Sequence, residues 1–231
     1  MKNKKFYLKN LVNFFFKNKK INIFDAGAHK GLFLKKIGLA KIKNAILVDP
    51  IDFKIIHKKN FKRFKYIKAL LGEKIGKKNF YIHSNTNPEW SSINKIHKQS
   101  PYYKLYKRRL NKKLITKNIE QKTIDNILKK INFKIDVIKI DCQSQTLEVL
   151  KGSSKTLGNK NLKIVICAIN LTDFYHKKSD DFVSICNFLK KFKLNLYSFV
   201  NAHDGSLGKI DFDFKNFKVW TFDAVFLKNE K

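Results

Sequence analysis

Arginine is nearly missing from this chain: of its 50 basic residues, only Arg63, Arg108 and Arg109 carry a guanidinium. Proteins that read phosphates or base edges lean on arginine's planar, bidentate fork. The formal net charge of +32 therefore reads first as lysine spread over solvated faces, with a dedicated polyanion site ranked second. Cysteine is scarce as well. Cys142, Cys167 and Cys186 are odd in number and lack C-x-x-C spacing, which argues against disulfides and zinc and points to reduced thiols in a cytoplasmic protein. Long apolar runs are missing too. The patch of Leu11, Val12, Phe14, Phe15 and Phe16 is broken by Asn13 and stopped by Lys17; it is too short to span a bilayer and carries no leader cleavage site. Neither internal repeats nor an interdomain linker is visible. What remains, 231 residues of which 43% are hydrophobic, suits one α/β domain with a sizeable core.

Residues 1–20 form a basic segment with seven lysines and no acid. It is expected to form a helix that packs on the domain, with peripheral membrane contact as the second option. The domain, residues 21–231, is organised around Ile21–Gly31, INIFDAGAHKG. A short apolar run ends in Asp25, a small-residue turn follows, and Leu32–Ile37 reads as a helix. Strand, tight turn and helix N-terminus together make the corner at which open α/β sheets bind ligands. The pattern is D-x-G-x-x-x-G, not the dinucleotide G-x-G-x-x-G, and its acid would repel a pyrophosphate. A cationic or zwitterionic ligand is favoured.

A second apolar run, Asn44–Val48, also ends in an acid, Asp49-Pro50. Continuous runs of this length suit strands buried on both faces. Asp49 follows Gly27 at about the spacing of the acid that accepts from a ribose diol, and its alternative role is to cap a helix expected over Ile51–Phe61. Further strands are expected at Tyr66–Gly72, Lys78–His83, Ile135–Asp141, Leu162–Ile169, Leu194–Val200 and Val219–Leu227, with a helix opened by Thr123-Ile124-Asp125 and running through Leu128, a turn, helix and glycine over Cys142–Gly152, and a helix over Asp181–Phe192. Polar loops are expected over Ser84–Ser92 and Asn201–Asn216. Between Ser91 and Ile119 lie nine basic residues, no acids, and interleaved Tyr102, Tyr103 and Tyr106. This stretch reads equally as a site for an anionic or saccharide acceptor or as a solvated helical insertion. The alternation gives one sheet with helices on both faces.

Four segments in order resemble the FkbM family of S-adenosylmethionine-dependent methyltransferases, over about Ile21 to Ser198. The family's D-x-G-A-N-x-G is matched by Asp25-Ala26-Gly27-Ala28-His29-Lys30-Gly31, and its E-P pair by Asp49-Pro50. Its T-L-D is matched by Thr123-Ile124-Asp125, and its K-I-D-x-Q-G-x-E-x-x-V-L-K-G by Lys139–Gly152. The resemblance implies the class I methyltransferase fold, a Rossmann-like, seven-stranded, mostly parallel sheet with helices on both faces. It implies S-adenosyl-L-methionine as cofactor, held by Asp25, Gly27, His29, Gly31 and Asp49. It also implies O-methylation of a sugar or other hydroxylated metabolite, so the expected partner is a small-molecule or glycan acceptor, an anionic one included. The chain departs from the pattern at His29 for Asn, and at Ser144 and Thr146 for Gly and Glu. Glu148 comes two positions late for the family's acid. Ala168, Ile169 and Asn170 stand where an acid usually ends the fifth strand.

For such chemistry a hydroxyl acceptor needs alignment and a base within hydrogen-bond reach. Asp141, at the carboxyl end of the fourth strand, is the candidate base, and Gln143 the candidate orienting group; His29 is a weaker base candidate. No metal ligand set is expected. Two rival readings are a family member that has lost catalysis and a basic nucleic-acid-binding module such as an RNA methyltransferase.

Overall fold

The computed structural model describes residues 8–83, 88–100, 103, 114–171, 175, 181–203 and 221–229. Helix α1 (Leu8–Phe16) buries Leu8, Leu11, Val12 and Phe16, the one-sided spacing of an amphipathic helix. Strand β1 (Ile21–Ala26) follows, then helix α2 (Leu32–Ile37), β2 (Ile42–Asp49) and β3 (Arg63–Lys68). The helix expected over Ile51–Phe61 is absent; that stretch holds only a 3-10 turn at Lys58–Asn60. Side chains take the bonds a helix would use. The Ile51 N–H donates to Asp49 Oδ1 at 2.9 Å, the Tyr66 hydroxyl donates to the Ile51 carbonyl, and the Phe53 N–H donates to Tyr66 Oη at 3.3 Å. Such local alternatives compete with helix hydrogen bonds.

The run Tyr66–Gly72 divides between two sheets: β3 ends at Lys68, and Leu70–Leu71 forms β4 of a separate three-stranded sheet. That sheet is completed by β5 (Gly76–His83) and β6 (Leu114–Lys122), which pair antiparallel along their lengths. The C-terminal part of the basic stretch is therefore strand, while Tyr102, Tyr106 and the rest of 104–113 lie outside the described residues. So do residues 1–7 and most of the loop expected over Asn201–Asn216.

Helix α3 (Ile124–Lys129) opens on Thr123, whose Oγ1 accepts the Asn126 N–H at 3.0 Å, a standard N-cap. Asp125 accepts from the N–H groups of Lys155 and Thr156 at 2.9 Å each, so the acid of the Thr-Ile-Asp segment clamps a later turn. Next come β7 (Val137–Ile140), α4 (Thr146–Lys151), α5 (Ser154–Gly158), β8 (Ile164–Asn170), α6 (Phe182–Lys190), β9 (Leu194–His203) and β10 (Thr221–Lys228). The main sheet runs β3-β2-β1-β7-β8-β10-β9. Within it β10 is antiparallel to both neighbours, and the other described pairings are parallel. A seven-stranded, mostly parallel sheet is the architecture expected from the sequence.

Period-two alternation feeds two core layers. Phe24, Ile46, Ile138 and Ala224 face one layer with α4 and α6; Ile23, Leu47, Val137 and Val225 face the other with α1 and α2.

Candidate active site

That same alternation assembles the site. Asp25, Asp49, Lys139 and Asp223 share the parity of Ile23, Leu47, Val137 and Val225, so they lie on the α1/α2 face of the sheet. The parallel strands end there together, and β10, running the other way, begins there, with Asp223 paired to Ala168. Asp141 follows β7 directly. In a chain of net charge +32, four carboxylates gather around one buried ammonium at the carboxyl edge of the sheet, where open α/β sheets hold ligands.

A cleft of about 280 Å³ opens at this edge, near the lower end of the range for small-molecule sites. Its walls include Gly27, His29, Asp49, Asp141 and Gln143, with Phe33, Ile51, Phe53, Leu70 and Leu71 on the apolar side. Five of the seven site residues expected from sequence thus meet in one cleft. The other two stand behind it. Asp25 is fully buried and neither of its oxygens has a hydrogen-bond partner among the described residues. Gly31 caps α2 with φ +71°, so its left-handed backbone starts the helix.

Asp49 is held by its surroundings: Oδ2 accepts the His29 N–H at 2.9 Å, and Oδ1 accepts the Ile51 N–H. Burial nevertheless pushes its carboxyl up to about 6 against those donors. Burial does the same to Asp25, also to about 6, with Lys139 pulling the other way. His29 sits at φ +48°, a left-handed position in which Asn, Asp and His are enriched. That backbone explains why His can stand where the family pattern has Asn. Its ring meets the Phe53 ring edge-on at 4.3 Å.

Lys139 Nζ lies 2.9 Å from Asp141 Oδ2. Burial alone would depress this lysine, but Asp141, Asp25 and Asp223 together hold it above the ordinary lysine range. Gln143 Nε2 donates to Asp141 Oδ1 at 3.2 Å, so both oxygens of Asp141 are oriented. Gln143 is itself fixed: its Oε1 accepts from the Tyr175 hydroxyl at 3.0 Å, and its carbonyl accepts from Ser92 Oγ at 2.9 Å. The Cys142 thiol, also on the cleft wall, is pushed up by burial and by Asp141, so it is not poised as a nucleophile.

The departures from the family pattern have local explanations. Thr146 is buried and its Oγ1 donates to the Ala168 carbonyl at 3.1 Å, so it ties α4 to β8. Glu148 pairs with Lys151 at 3.5 Å and is not on the cleft wall. Ser144 occupies φ +64° with a buried hydroxyl that has no partner among the described residues. A left-handed backbone costs a non-glycine residue about 1–2 kcal/mol, partly offset by the extra unfolded-state entropy of glycine. Ser144→Gly is therefore expected to stabilise the protein by about 1 kcal/mol and raise Tm by about 2–4 °C. A thermal melt that shows no rise would refute the strain at this turn.

Asp223 and Lys139 are functional candidates that the sequence left unassigned. Asp223, on the next strand in space, lies opposite Ala168 and on the cleft wall, beside the place where β8 carries no acid. Its signal was a lone acid within VWTFDAVFL. Lys139 had the same kind of signal, a cation inside an otherwise apolar strand.

The model of the methyltransferase FkbM domain matches residues 25–196. A methyltransferase FkbM from Methylobacillus flagellatus aligns with TM-score 0.52 at 14% identity, over 90% of this chain and 43% of that one. The chain therefore spans less than half the length of that protein. A TehB-like SAM-dependent methyltransferase from Corynebacterium glutamicum aligns with TM-score 0.39 at 13% identity, over 97% and 89% of the two chains. A putative RNA methyltransferase from Pyrococcus horikoshii gives 0.44 at 11%, over 95% and 80%. No curated protein sequence matches.

Proposed function

Since this chain belongs to the FkbM methyltransferase family, we propose that it methylates a hydroxyl group of a sugar or other hydroxylated metabolite, with Asp141 as the base. S-adenosylmethionine is the methyl donor of the family. The residues present fit it. Asp49 is a carboxylate on the cleft wall whose backbone donors leave lone pairs for the ribose hydroxyls. The orphaned acid Asp25, with Asp223, makes the cleft floor favourable to the cofactor's ammonium and sulfonium charges. The Ile51, Phe53, Leu70 and Leu71 wall suits an adenine ring. Bound there, the cofactor supplies a methyl group on a sulfonium, so that the leaving group departs neutral.

The observation that carries the reading is the fixed carboxylate of Asp141. Lys139 and Gln143 each hold one of its oxygens, and each oxygen keeps a lone pair for an incoming hydroxyl. In this arrangement Asp141 takes the hydroxyl proton while Gln143 and Tyr175 keep its carboxylate from turning away. Ser91 and Gln145 on the same wall offer hydrogen bonds to a polyhydroxylated acceptor. The carboxylates disfavour a polyanion at this spot.

The test is label transfer from S-adenosyl-[methyl-³H]methionine to a panel of free sugars, sugar nucleotides and small phenols, with mass spectrometry of the product. An O-methyl ether supports the proposal. Label found only on nitrogen, or only on RNA, would replace it. A clear melting shift with the cofactor but no transfer to any acceptor would identify a member that has lost catalysis.

Asp49→Ala is expected to weaken S-adenosylmethionine binding by about 10–150-fold, the loss of charge-assisted hydrogen bonds worth about 1.5–3 kcal/mol. The same carboxyl predicts a pH dependence. Its folded pKa is raised to about 6, so it is protonated, and a poorer acceptor, below that value. Cofactor affinity in the wild type should rise as pH increases from 5 to 7, and the variant should lose part of that rise. The apo protein goes the other way: groups raised on folding lose stability as pH climbs from about 4 through about 6. Calorimetric titration at both pH values checks the first, and melting without cofactor the second. Unchanged affinity in Asp49→Ala would remove Asp49 from the site.

A further inference from the structure

Helix α1 has two apolar faces and only one of them is used. Leu8, Leu11, Val12 and Phe16 are buried, yet Phe14 is 74% exposed and Phe15 39%. Their rings pack edge-on at 5.3 Å and point away from the core that their neighbours join. At the end of α1 the Lys19 N–H donates to the Phe16 carbonyl at 2.7 Å, a tight turn that keeps the exposed run Lys17–Lys20 beside the aromatic pair. The Lys41 ammonium donates to the Lys17 carbonyl. Lys19, Lys20, Lys43 and Lys62 then line a shallow hollow at the amino ends of β1–β3. Lys163, Lys19 and Lys43 also act on the carboxyl of Asp136.

We propose that this end of the sheet is a docking surface for an anionic lipid bilayer. Phe14 and Phe15 enter the headgroup layer, while Lys17, Lys19, Lys20, Lys43 and Lys62 face the lipid phosphates. Aromatic side chains on one face of a helix, with lysines beside them, are what an interfacial helix presents. Lysine, a compact charge on a flexible stem, suits a diffuse layer of headgroups, whereas a nucleic acid is better held by the arginine fork, and the one arginine described at this edge, Arg63, donates to the Asn132 carbonyl. The six residues of β1 separate this edge from the cleft by about 20 Å. Docking therefore leaves the cleft open to water, and the acceptor reaches it from solution.

The experiment is co-sedimentation with vesicles of phosphatidylcholine alone and of two parts phosphatidylcholine to one part phosphatidylglycerol, at physiological ionic strength. Binding is expected to the second only and to fall as salt is raised. Phe14→Ser with Phe15→Ser should weaken it at least about tenfold. Lys19→Ala with Lys20→Ala should weaken it on the order of 25-fold, about fivefold for each charge. All four side chains are exposed or half-buried, so the melting temperature and its shift with S-adenosylmethionine should stay unchanged. That readout separates this surface from the proposed active site. No binding to anionic vesicles, or binding that survives loss of both phenylalanines, overturns the proposal. So does displacement from the vesicles by polyuridylate that the Phe variant binds equally well.

Discussion

Asp141→Asn is expected to lower methyl transfer by about 10²–10⁴-fold, the usual contribution of a positioned general base, while cofactor affinity changes little. The substitution is nearly isosteric. An amide oxygen can still accept from Lys139, so the ammonium at 2.9 Å keeps a partner, while the carboxylate charge, one acceptor oxygen and the capacity to take a proton are lost. That split distinguishes a base from a residue that merely shapes the cleft. A shaping residue would alter binding of acceptor or cofactor alongside turnover. Single-turnover rates, with calorimetry for the cofactor and a melt as folding control, make the comparison. Turnover near wild type would exclude Asp141 as the base and turn attention to His29 or Asp223.

Gly27→Ala should be the most damaging alanine substitution among the described glycines. A Cβ at this position would lie 2.0 Å from the Asp141 carbonyl oxygen and 2.8 Å from its carbonyl carbon, and the backbone sits at φ +72°. Neither neighbour is a flexible side chain that can swing aside. The Gly27 N–H donates to Val48 at 2.9 Å, and the Asp141 N–H donates to Ala26 at 2.9 Å, so the β1 turn is pinned on both sides. Overpacking costs about 1–3 kcal/mol, and a forced left-handed residue costs a further 1–3 or so. The sum, about 2–6 kcal/mol, is a large share of the stability of a typical domain. For a chain of this size the melting temperature should fall by about 5–20 °C. Cofactor binding should weaken as well, because relief of the clash moves Asp141 and the turn that faces it. Gly76→Ala is the control: nothing lies within 4 Å of its Cβ, and stability should hold. A Gly27 variant that melts like the Gly76 variant would contradict the close approach of these two backbones.

How much was legible in the sequence differs between the strands and their surroundings. Each buried strand announced itself as a continuous apolar run, because a parallel strand covered on both faces has no solvent side to mark with polar residues. The order of acids at strand ends was visible for the same reason: a carboxylate that closes an apolar run is conspicuous. The run Tyr66–Gly72 was legible as extended chain but not as two strands in different sheets, since pairing partners are set by contacts remote in sequence. The stretch after Pro50 misled because its spacing tolerates a helix. Only the Tyr66 hydroxyl and the Asp49 carboxylate, brought from two other positions, show why it forms no α-helix.

By itself the sequence determined the fold class, the glycine turn at Gly27 and the acids Asp25, Asp49 and Asp141, because strand burial and tight turns act through residues adjacent in the chain. Tertiary structure alone decided which of these acids reaches the cleft. It set Asp25 behind the wall, brought Asp223 on the antiparallel strand opposite Ala168, and linked Tyr175 through Gln143 to Asp141. Those placements depend on strand order and register, which arise from the packing of whole layers and have no local signature in the chain.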